Sequence, residues 1–145
     1  MSYPQQLTPE QTLAEAKLHL SIPHIVVICG STRFMAEMAQ ADLRETVAGR
    51  IVVKPGFDMK SPHGLGIDPA DAEAEVGAQA QVQAQAQAQA LKVRLGELHR
   101  AKIRLADEVL VVGDYIGDST RAEIAYARSL GKPVRFTHPE VAPDA

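Results

Sequence analysis

Short apolar runs separated by longer amphipathic segments predict alternating strands and helices along this chain. Four runs are rich in β-branched residues, too short for a helix and without polar alternation. They occupy residues 24–29, 50–54, 108–112 and 133–136. Such runs are typical of strands that are buried on both faces of a parallel sheet.

Helices are predicted before and between these strands. Thr8, Pro9 and Gln11 form a helix start with a weak capping box, and Pro23 ends the helix that follows. Further segments predict helices at residues 34–47, 91–105 and 120–130. The helix before the third strand carries a leucine stripe that faces the core or forms a dimer seam: Leu91, Leu95, Leu98 and Leu105.

Residues 78–90 alternate alanine and glutamine, with Val82 once in place of alanine. A period of two spreads glutamine around every face of a helix, so this segment forms no apolar stripe. Alanine and glutamine are also poor strand residues. We therefore interpret the segment as an exposed helical extension or a mobile insert within a single domain that covers residues 1–145.

The alternation predicts an α/β fold with a parallel sheet of four to five strands, helices on both faces and right-handed crossovers. The length of 145 residues suits one domain with a full core. In such folds, ligands bind at the carboxyl ends of the strands. The candidate loops are therefore those at residues 30–33, 55–66 and 113–123.

Charge and cysteine content narrow the possible functions. A net charge of -3 provides no global basic field for a nucleic-acid polymer. The single cysteine, Cys29, excludes an internal disulfide framework and a cysteine-rich zinc site. No apolar run approaches the roughly 20 residues that span a bilayer, and the first residues lack the order of a signal peptide. We therefore expect a cytoplasmic protein that binds neither membrane nor nucleic acid.

The loop after the first strand has the features of an anion site. Gly30 permits a tight turn, and the hydroxyls of Ser31 and Thr32 favour a phosphate, together with backbone N–H groups and the helix dipole. Arg33 is suited to a bidentate phosphate contact. Alternatively, Ser31 or Thr32 only caps the next helix. No Walker lysine or G-x-G-x-x-G motif follows this strand, which disfavours triphosphate and dinucleotide sites.

Glu123 is a candidate catalytic group. Thr120 and Glu123 have the spacing of a capping box, which would give Glu123 a purely structural role at the start of a helix. Alternatively, its carboxylate faces the 30–33 loop across the crevice, where it could attack an anomeric carbon and form a glycosyl intermediate. Asp114, just past the third strand, is either a turn residue or a group that binds sugar hydroxyls or orients water.

The histidines lack the H-x-x-x-H spacing of a helical zinc site. Asp58 and His63 share one loop, which is a weak metal signal, and we predict no metal site. His99, on the helix before the third strand, is the one histidine that we regard as a catalytic candidate. Cys29 ends a buried strand without an obvious base partner in the sequence, and we interpret it as a core residue.

Four segments, taken in order, carry a family resemblance. They are VICGSTR at residues 27–33, LADEVLVV at 105–112, STRAEIAYA at 119–127 and GKPV at 131–134. Through these segments the chain resembles the nucleoside 2-deoxyribosyltransferase-like superfamily over roughly residues 25–136, apart from the alanine and glutamine segment. That superfamily includes deoxyribosyltransferases and nucleoside 5′-monophosphate N-glycosidases. The resemblance implies a flavodoxin-like or Rossmann-like sheet, a homodimer or higher homo-oligomer, and attack on an N-glycosidic bond.

The resemblance also assigns roles to particular residues. The nucleophilic glutamate of the family falls on Glu123, and its phosphate loop falls on Gly30, Ser31 and Arg33. An arginine in that loop implies a nucleotide rather than a nucleoside as the ligand. A phage and bacterial subgroup without an assigned activity shares the motifs CGSTRF and GxSTRxE with this chain.

Two positions depart from the catalytic members of the family. Val27 stands where they carry a tyrosine on the first strand. His99 stands where they carry an aspartate that handles the proton of the leaving base. Histidine can act as the acid at that position, or the chemistry has been lost.

The leading hypothesis is an N-glycosidase of a nucleoside 5′-monophosphate that needs no metal or organic cofactor. Glu123 would attack C1′, and His99 would aid departure of the base. The phosphate is expected to contact Gly30, Ser31, Thr32 and Arg33. Asp114 or Asp118 is expected to bind the sugar hydroxyls, and Phe57 to cover the base. Ser119 is a further expected substrate contact to which we assign no particular part of the nucleotide. The alternatives are a (deoxy)ribosyltransferase, a nucleotide-binding or sensing protein without turnover, and an assembly role for residues 78–90.

Overall fold

The computed structural model describes residues 6–55 and 78–143. The α-helices within these ranges are α1 (Pro9–His19), α2 (Met35–Val47), α3 (Ala78–Leu105) and α4 (Asp118–Ser129). The strands are β1 (Ile25–Cys29), β2 (Ile51–Val53), β3 (Glu108–Val111) and β4 (Val134–Phe136). Each strand lies within a predicted apolar run, so the predicted alternation is confirmed for this part of the chain. No helix of the described residues is long and apolar enough to cross a membrane.

All neighbouring strands of the sheet are parallel, and their order is β2-β1-β3-β4. This confirms the predicted α/β class: in the described residues the sheet has four strands and is of the Rossmann or flavodoxin type. The chain passes from β1 to β2 at one edge and then returns to the other side of β1 to form β3 and β4. The direction of winding therefore reverses between β1 and β3, and such sheets bind ligands outside the carboxyl ends of the strands at that point.

β1 is buried along its whole length because helices cover both faces of the sheet. Val26 and Ile28 point to one face, where Met38 and Ala41 of α2 pack against them. The other face meets α3 and α4, and its core residues include Ile25, Val27, Cys29, Ile103 and Ile124. Fully burying a valine or isoleucine side chain is worth about 1.5–3 kcal/mol, so this strand anchors both layers of helices.

α3 is one helix that contains both the alanine and glutamine segment and the leucine stripe. The helical interpretation of residues 78–90 is therefore confirmed. The prediction that the stripe faces the core is wrong for Leu98 and Leu105, which are 52% and 44% exposed. His99 and Ile103, one turn apart on a neighbouring face of the helix, point toward β1 instead. The leucine spacing identifies one face of α3, but the path of the chain into β3 determines which face meets the sheet.

α1 begins with the predicted capping box. The Gln11 N–H donates to Oγ1 of Thr8 over 3.2 Å, and the Thr8 N–H donates to Oε1 of Gln11 over 2.9 Å. Near the other end of α1, Nζ of Lys17 donates to Oδ1 of Asp107 over 2.7 Å, and Oδ2 of Asp107 accepts the Ile25 N–H over 2.8 Å. This partly buried ion pair ties α1 to the starts of β1 and β3.

A second group of charges joins β4, β3 and α2. Arg135 donates to both carboxylate oxygens of Glu108 over 2.9 and 3.1 Å, and it also binds Glu45, which has Arg50 as a further partner. Burial opposes ionisation of Glu45, but the hydrogen bonds from Arg135 and Arg50 outweigh it and hold the pKa of Glu45 below its usual range. Burial likewise opposes ionisation of Glu108, and Arg135 again outweighs it and lowers the pKa.

Acid is expected to destabilise the chain through these two carboxylates. Because their pKa values are lower in the folded chain, their stabilising contribution is complete above the ordinary glutamate pKa of 4.5 and is lost as the pH falls through the folded values. The free energy of unfolding, measured by urea titration at a series of pH values, should fall accordingly. Glu45→Gln should flatten this fall because an amide does not titrate, whereas Glu37→Gln at an exposed position on α2 should not. An unchanged pH profile in Glu45→Gln would contradict the assignment.

Candidate active site

Two glycines, Gly30 and Gly113, lie in the loops that follow β1 and β3 at the carboxyl ends of these strands. Gly30 has a φ of 146°, and a Cβ at that position would lie 2.6 Å from the carbonyl oxygen of Val112. Gly113 has a φ of 104°, and a Cβ there would lie 2.3 Å from the ring of Phe34. Both positions therefore require glycine for its backbone conformation and for its lack of a side chain. The loops after β1 and β3 are thus packed directly against each other.

A cation–π contact joins the same two loops. The guanidinium of Arg33 lies 4.3 Å from the ring centroid of Tyr115. Stacking engages the face of the guanidinium and leaves its in-plane N–H groups able to donate to an anion. Tyr115 is exposed and was not among the predicted site residues. The sequence feature that could have identified Tyr115 is its position, two residues after Gly113 in the loop that follows β3.

The loop after β1 leads into α2 through a 3₁₀ turn, Thr32–Phe34. Oγ of Ser31 accepts the Arg33 N–H over 3.4 Å, so Ser31 caps this turn through a long hydrogen bond. The alternative interpretation, that Ser31 or Thr32 caps the next helix, is wrong for α2, whose N-cap residue is Phe34 and which has no side-chain cap. Thr32 is partly exposed and Arg33 is exposed. The loop therefore presents two hydroxyls and one guanidinium at the end of β1.

Gly113→Ala is expected to destabilise the chain more than Gly49→Ala. Both glycines have a positive φ, 104° and 90°, but a Cβ at Gly49 meets nothing within 4 Å, whereas one at Gly113 strikes Phe34. Gly49→Ala therefore reports backbone strain alone, roughly 1–3 kcal/mol, and Gly113→Ala should cost more. Urea unfolding measures both changes.

A double variant separates the ring contact from backbone strain at Gly113. Phe34→Ala removes the ring that the new methyl group would meet, so Gly113→Ala should cost less in the Phe34→Ala background than in the wild-type chain. If Gly113→Ala costs the same in both backgrounds, the ring of Phe34 does not constrain this position.

Three side chains meet beside the end of β1. Sγ of Cys29 lies 3.2 Å from Nε2 of His99, and Oε2 of Glu123 lies 3.5 Å from the same nitrogen. The three atoms all lie within 4.8 Å of one another. Cys29 is fully buried, whereas the side chains of His99 and Glu123 are 12% and 24% exposed. The cluster is therefore most accessible to solvent at Glu123.

Core contacts of three elements direct these side chains to one point. Cys29 ends β1 on the face of the sheet that α3 and α4 cover. His99 precedes the buried Ile103 by one turn of α3, and Glu123 precedes the buried Ala127 by one turn of α4. His99 and Glu123 were predicted catalytic candidates, whereas Cys29 was interpreted as a core residue without a partner. Cys29 is indeed in the core, and His99 is its partner.

The capping explanation for Glu123 is wrong. α4 begins at Asp118, ahead of the predicted start at Thr120, with Gly117 as its N-cap residue and without a side-chain cap. Thr120 is buried inside the first turn, so the predicted capping box of Thr120 and Glu123 does not form. The extended backbone of Gly117 starts the helix before a threonine cap would. Glu123 faces His99 instead.

The surroundings of Cys29 keep its thiol protonated. Burial raises the pKa of the thiol well above its usual 9.0, and the negative charge of Glu123 raises it further. At neutral pH the folded chain thus holds a thiol and not a nucleophilic thiolate. Cys29 and Glu123 both contact Nε2 of His99. The ring therefore does not connect them through its two nitrogens, as the histidine of a catalytic triad does.

The other predicted substrate residues have different locations. Asp114 lies in the loop after β3, Asp118 and Ser119 open the first turn of α4, and all three are exposed. Val27, at the position where catalytic members of the superfamily that the chain resembles carry a tyrosine, is fully buried in the core. Phe57, which was predicted to cover the base, lies outside the described residues.

Comparisons of the chain with models of known protein families, with curated proteins and with solved structures found no match. The family resemblance therefore rests on the four sequence segments that carry it. The structure establishes the fold and the meeting of Cys29, His99 and Glu123.

Proposed function

We propose that this chain is an N-glycosidase that cleaves the base–sugar bond of a nucleoside 5′-monophosphate, with Glu123 as the nucleophile. One observation carries the proposal. Glu123 does not cap a helix, and its carboxylate lies 3.5 Å from His99 beside the end of β1, where a sheet of this type binds its ligand. The family resemblance supports the same glutamate.

Glu123 acts as the nucleophile in this reaction, and His99 acts as the general acid and then as the general base. In the first step a carboxylate oxygen of Glu123 forms a bond to C1′ while the bond from C1′ to the base breaks, and protonated His99 gives its proton to the departing base. In the second step water attacks C1′, neutral His99 takes a proton from that water, and the ester bond to Glu123 breaks. The products are the base and the sugar 5-phosphate, and both side chains return to their starting forms.

The loop after β1 supplies the phosphate contacts. Arg33, held against Tyr115, can donate its in-plane N–H groups to two phosphate oxygens. Ser31 and Thr32 add hydroxyls, and Gly30 lets the backbone approach the anion. A nucleoside would lose these contacts, so a nucleotide is the favoured substrate.

Exposed side chains after β3 suit the sugar and the base. Asp114 and Asp118 can accept hydrogen bonds from sugar hydroxyls, and Ser119 adds a further polar group. Tyr115 offers an aromatic ring on which a base can stack, and Phe57 is assigned the same role. The reaction as written uses no metal or organic cofactor.

Base release is the direct test of this activity. Wild-type protein incubated with a panel of ribo- and deoxyribonucleoside 5′-monophosphates should release base, which chromatography detects. Glu123→Gln should lower the rate by at least about 1,000-fold because an amide cannot form the glycosyl ester. Glu97→Gln, at an exposed position on α3, is the matched control and should leave the rate unchanged.

The other outcomes of this assay distinguish the remaining functions. Base release that survives Glu123→Gln would show that another group attacks C1′. No release, together with a rise in melting temperature on adding one monophosphate, would favour a nucleotide-binding protein without turnover. That second candidate is supported by Val27, which is buried where catalytic members of the family carry a tyrosine. Exchange of the base for a second one would identify a (deoxy)ribosyltransferase.

A homodimer formed through the leucine stripe of α3 is part of the same proposal. Leu98 and Leu105 are exposed, and Leu91 and Leu95 are half-buried, although all four lie on one side of the helix. The family resemblance implies a second copy of the chain as the partner. Burying this stripe against its counterpart would remove apolar surface from water.

Leu98→Glu should convert such a dimer into a monomer, because it places a charge in an apolar contact. The molar mass from light scattering measures the change. Leu43→Glu alters an exposed leucine on α2 in the same way and should leave the mass of the dimer unchanged. A wild-type mass equal to that of one chain would contradict the dimer.

A further inference from the structure

The cluster beside the end of β1 combines three kinds of metal ligand. Cys29 offers a sulfur, His99 an imidazole nitrogen and Glu123 a carboxylate oxygen, and each comes from a different element of the fold. These are ligand types that zinc takes in proteins. We propose that the three side chains form a binding site for Zn²⁺.

The spacing of the three atoms agrees with a tetrahedral ion. Zinc lies about 2.3 Å from a cysteine sulfur and about 2.0–2.2 Å from a histidine nitrogen or carboxylate oxygen, which sets neighbouring ligands about 3.3–3.6 Å apart. Nε2 of His99 lies 3.2 Å from Sγ of Cys29 and 3.5 Å from Oε2 of Glu123. Since no two of the three atoms are more than 4.8 Å apart, a small rotation of the partly exposed Glu123 side chain completes the set.

Both acidic ligands approach the same nitrogen of His99, which suits a shared ion better than a proton relay. A relay would engage both nitrogens of the ring. A thiolate and a carboxylate carry two negative charges, and Zn²⁺ neutralises them in a site where Cys29 is fully buried. On binding, the bond between zinc and Sγ forms and the thiol proton passes to solvent.

His24 shows what distinguishes this cluster from another histidine beside carboxylates. His24 lies 3.2 Å from Glu108 and 3.9 Å from Asp107, but its side chain is 45% exposed. Those carboxylates already bind Arg135 and Lys17. The single cysteine of the chain lies in the other cluster. His24 is therefore a suitable control for nonspecific binding of zinc to a histidine.

Three protein ligands leave a fourth position open to water or another small ligand, as in catalytic rather than structural zinc sites. The ion would use Oε2 of Glu123 and Nε2 of His99, the groups that the proposed glycosidase needs for attack and proton transfer. Bound zinc should therefore inhibit base release. This inhibition rests on the proposed function, whereas the binding site does not.

Equilibrium dialysis of the full chain against Zn²⁺ alone should show one bound ion per chain. Co²⁺ used in its place should give a near-ultraviolet thiolate charge-transfer band and the visible bands of a tetrahedral site. His99→Asn and Glu123→Gln should each weaken zinc binding by more than about 100-fold, the upper range for loss of an outer-shell partner. His24→Asn should leave the affinity unchanged.

The sulfur ligand has its own test. Cys29→Ser should abolish the charge-transfer band of the cobalt form. Because Cys29 lies in the buried strand β1, His99→Asn at a partly exposed helix position tests the site without altering that strand. Zinc affinity that is unchanged in both His99→Asn and Glu123→Gln, or that is lost in His24→Asn, would overturn the proposal.

The metal site and the glycosidase are tested separately. Zinc binding is measured without a nucleotide. Base release is measured first in the presence of a chelator, and then without the chelator after one equivalent of Zn²⁺ has been added. A chain that binds zinc through these three residues but releases no base has the metal site and not the glycosidase. Base release that continues at the same rate after one zinc has bound would overturn the inhibition.

Discussion

β1 lies inside the sheet with both of its faces covered, and the positions of the other elements follow from the burial of its five residues. Alternate side chains of the strand contact α2 on one face and α3 with α4 on the other. Such a strand cannot shift by one residue without exchanging its two sets of core contacts. This constraint determines the direction in which its last residue, Cys29, points.

The candidate site is a consequence of that direction. Because Cys29 points to the face that α3 and α4 cover, side chains from those two helices can approach it. His99 contacts Cys29, and Glu123 contacts His99 within 4.8 Å of the cysteine sulfur. The next residue is Gly30, which passes so close to Val112 that no side chain fits there. One strand end therefore carries the cluster of Cys29, His99 and Glu123 and leads directly into the loop that we propose for phosphate. The proposed glycosidase and the proposed zinc site share atoms for this reason.

Two similar capping motifs show how far local sequence predicts local structure. The box at Thr8 forms at the start of α1, where Pro9 suits the first helical position. The box at Thr120 does not form because the backbone at Gly117 already starts α4. The prediction that the leucine stripe of α3 faces the core is wrong for Leu98 and Leu105 for a related reason. Spacing along the sequence identifies one face of a helix, but it does not identify the element that covers that face. His99 and Glu123 were recognised as candidates, but their contact with Cys29 was not predicted.

The sequence by itself determined the α/β class, the positions of the strands and the start of α1. These features depend on hydrophobic period and on contacts between residues a few positions apart, which are visible in any short window. Only the tertiary structure decided which face of α3 is buried, whether Glu123 caps a helix and which residue lies beside Cys29. The physical reason is distance along the chain: Cys29 and His99 are 70 positions apart, and only the packing of α3 on the sheet brings them within contact.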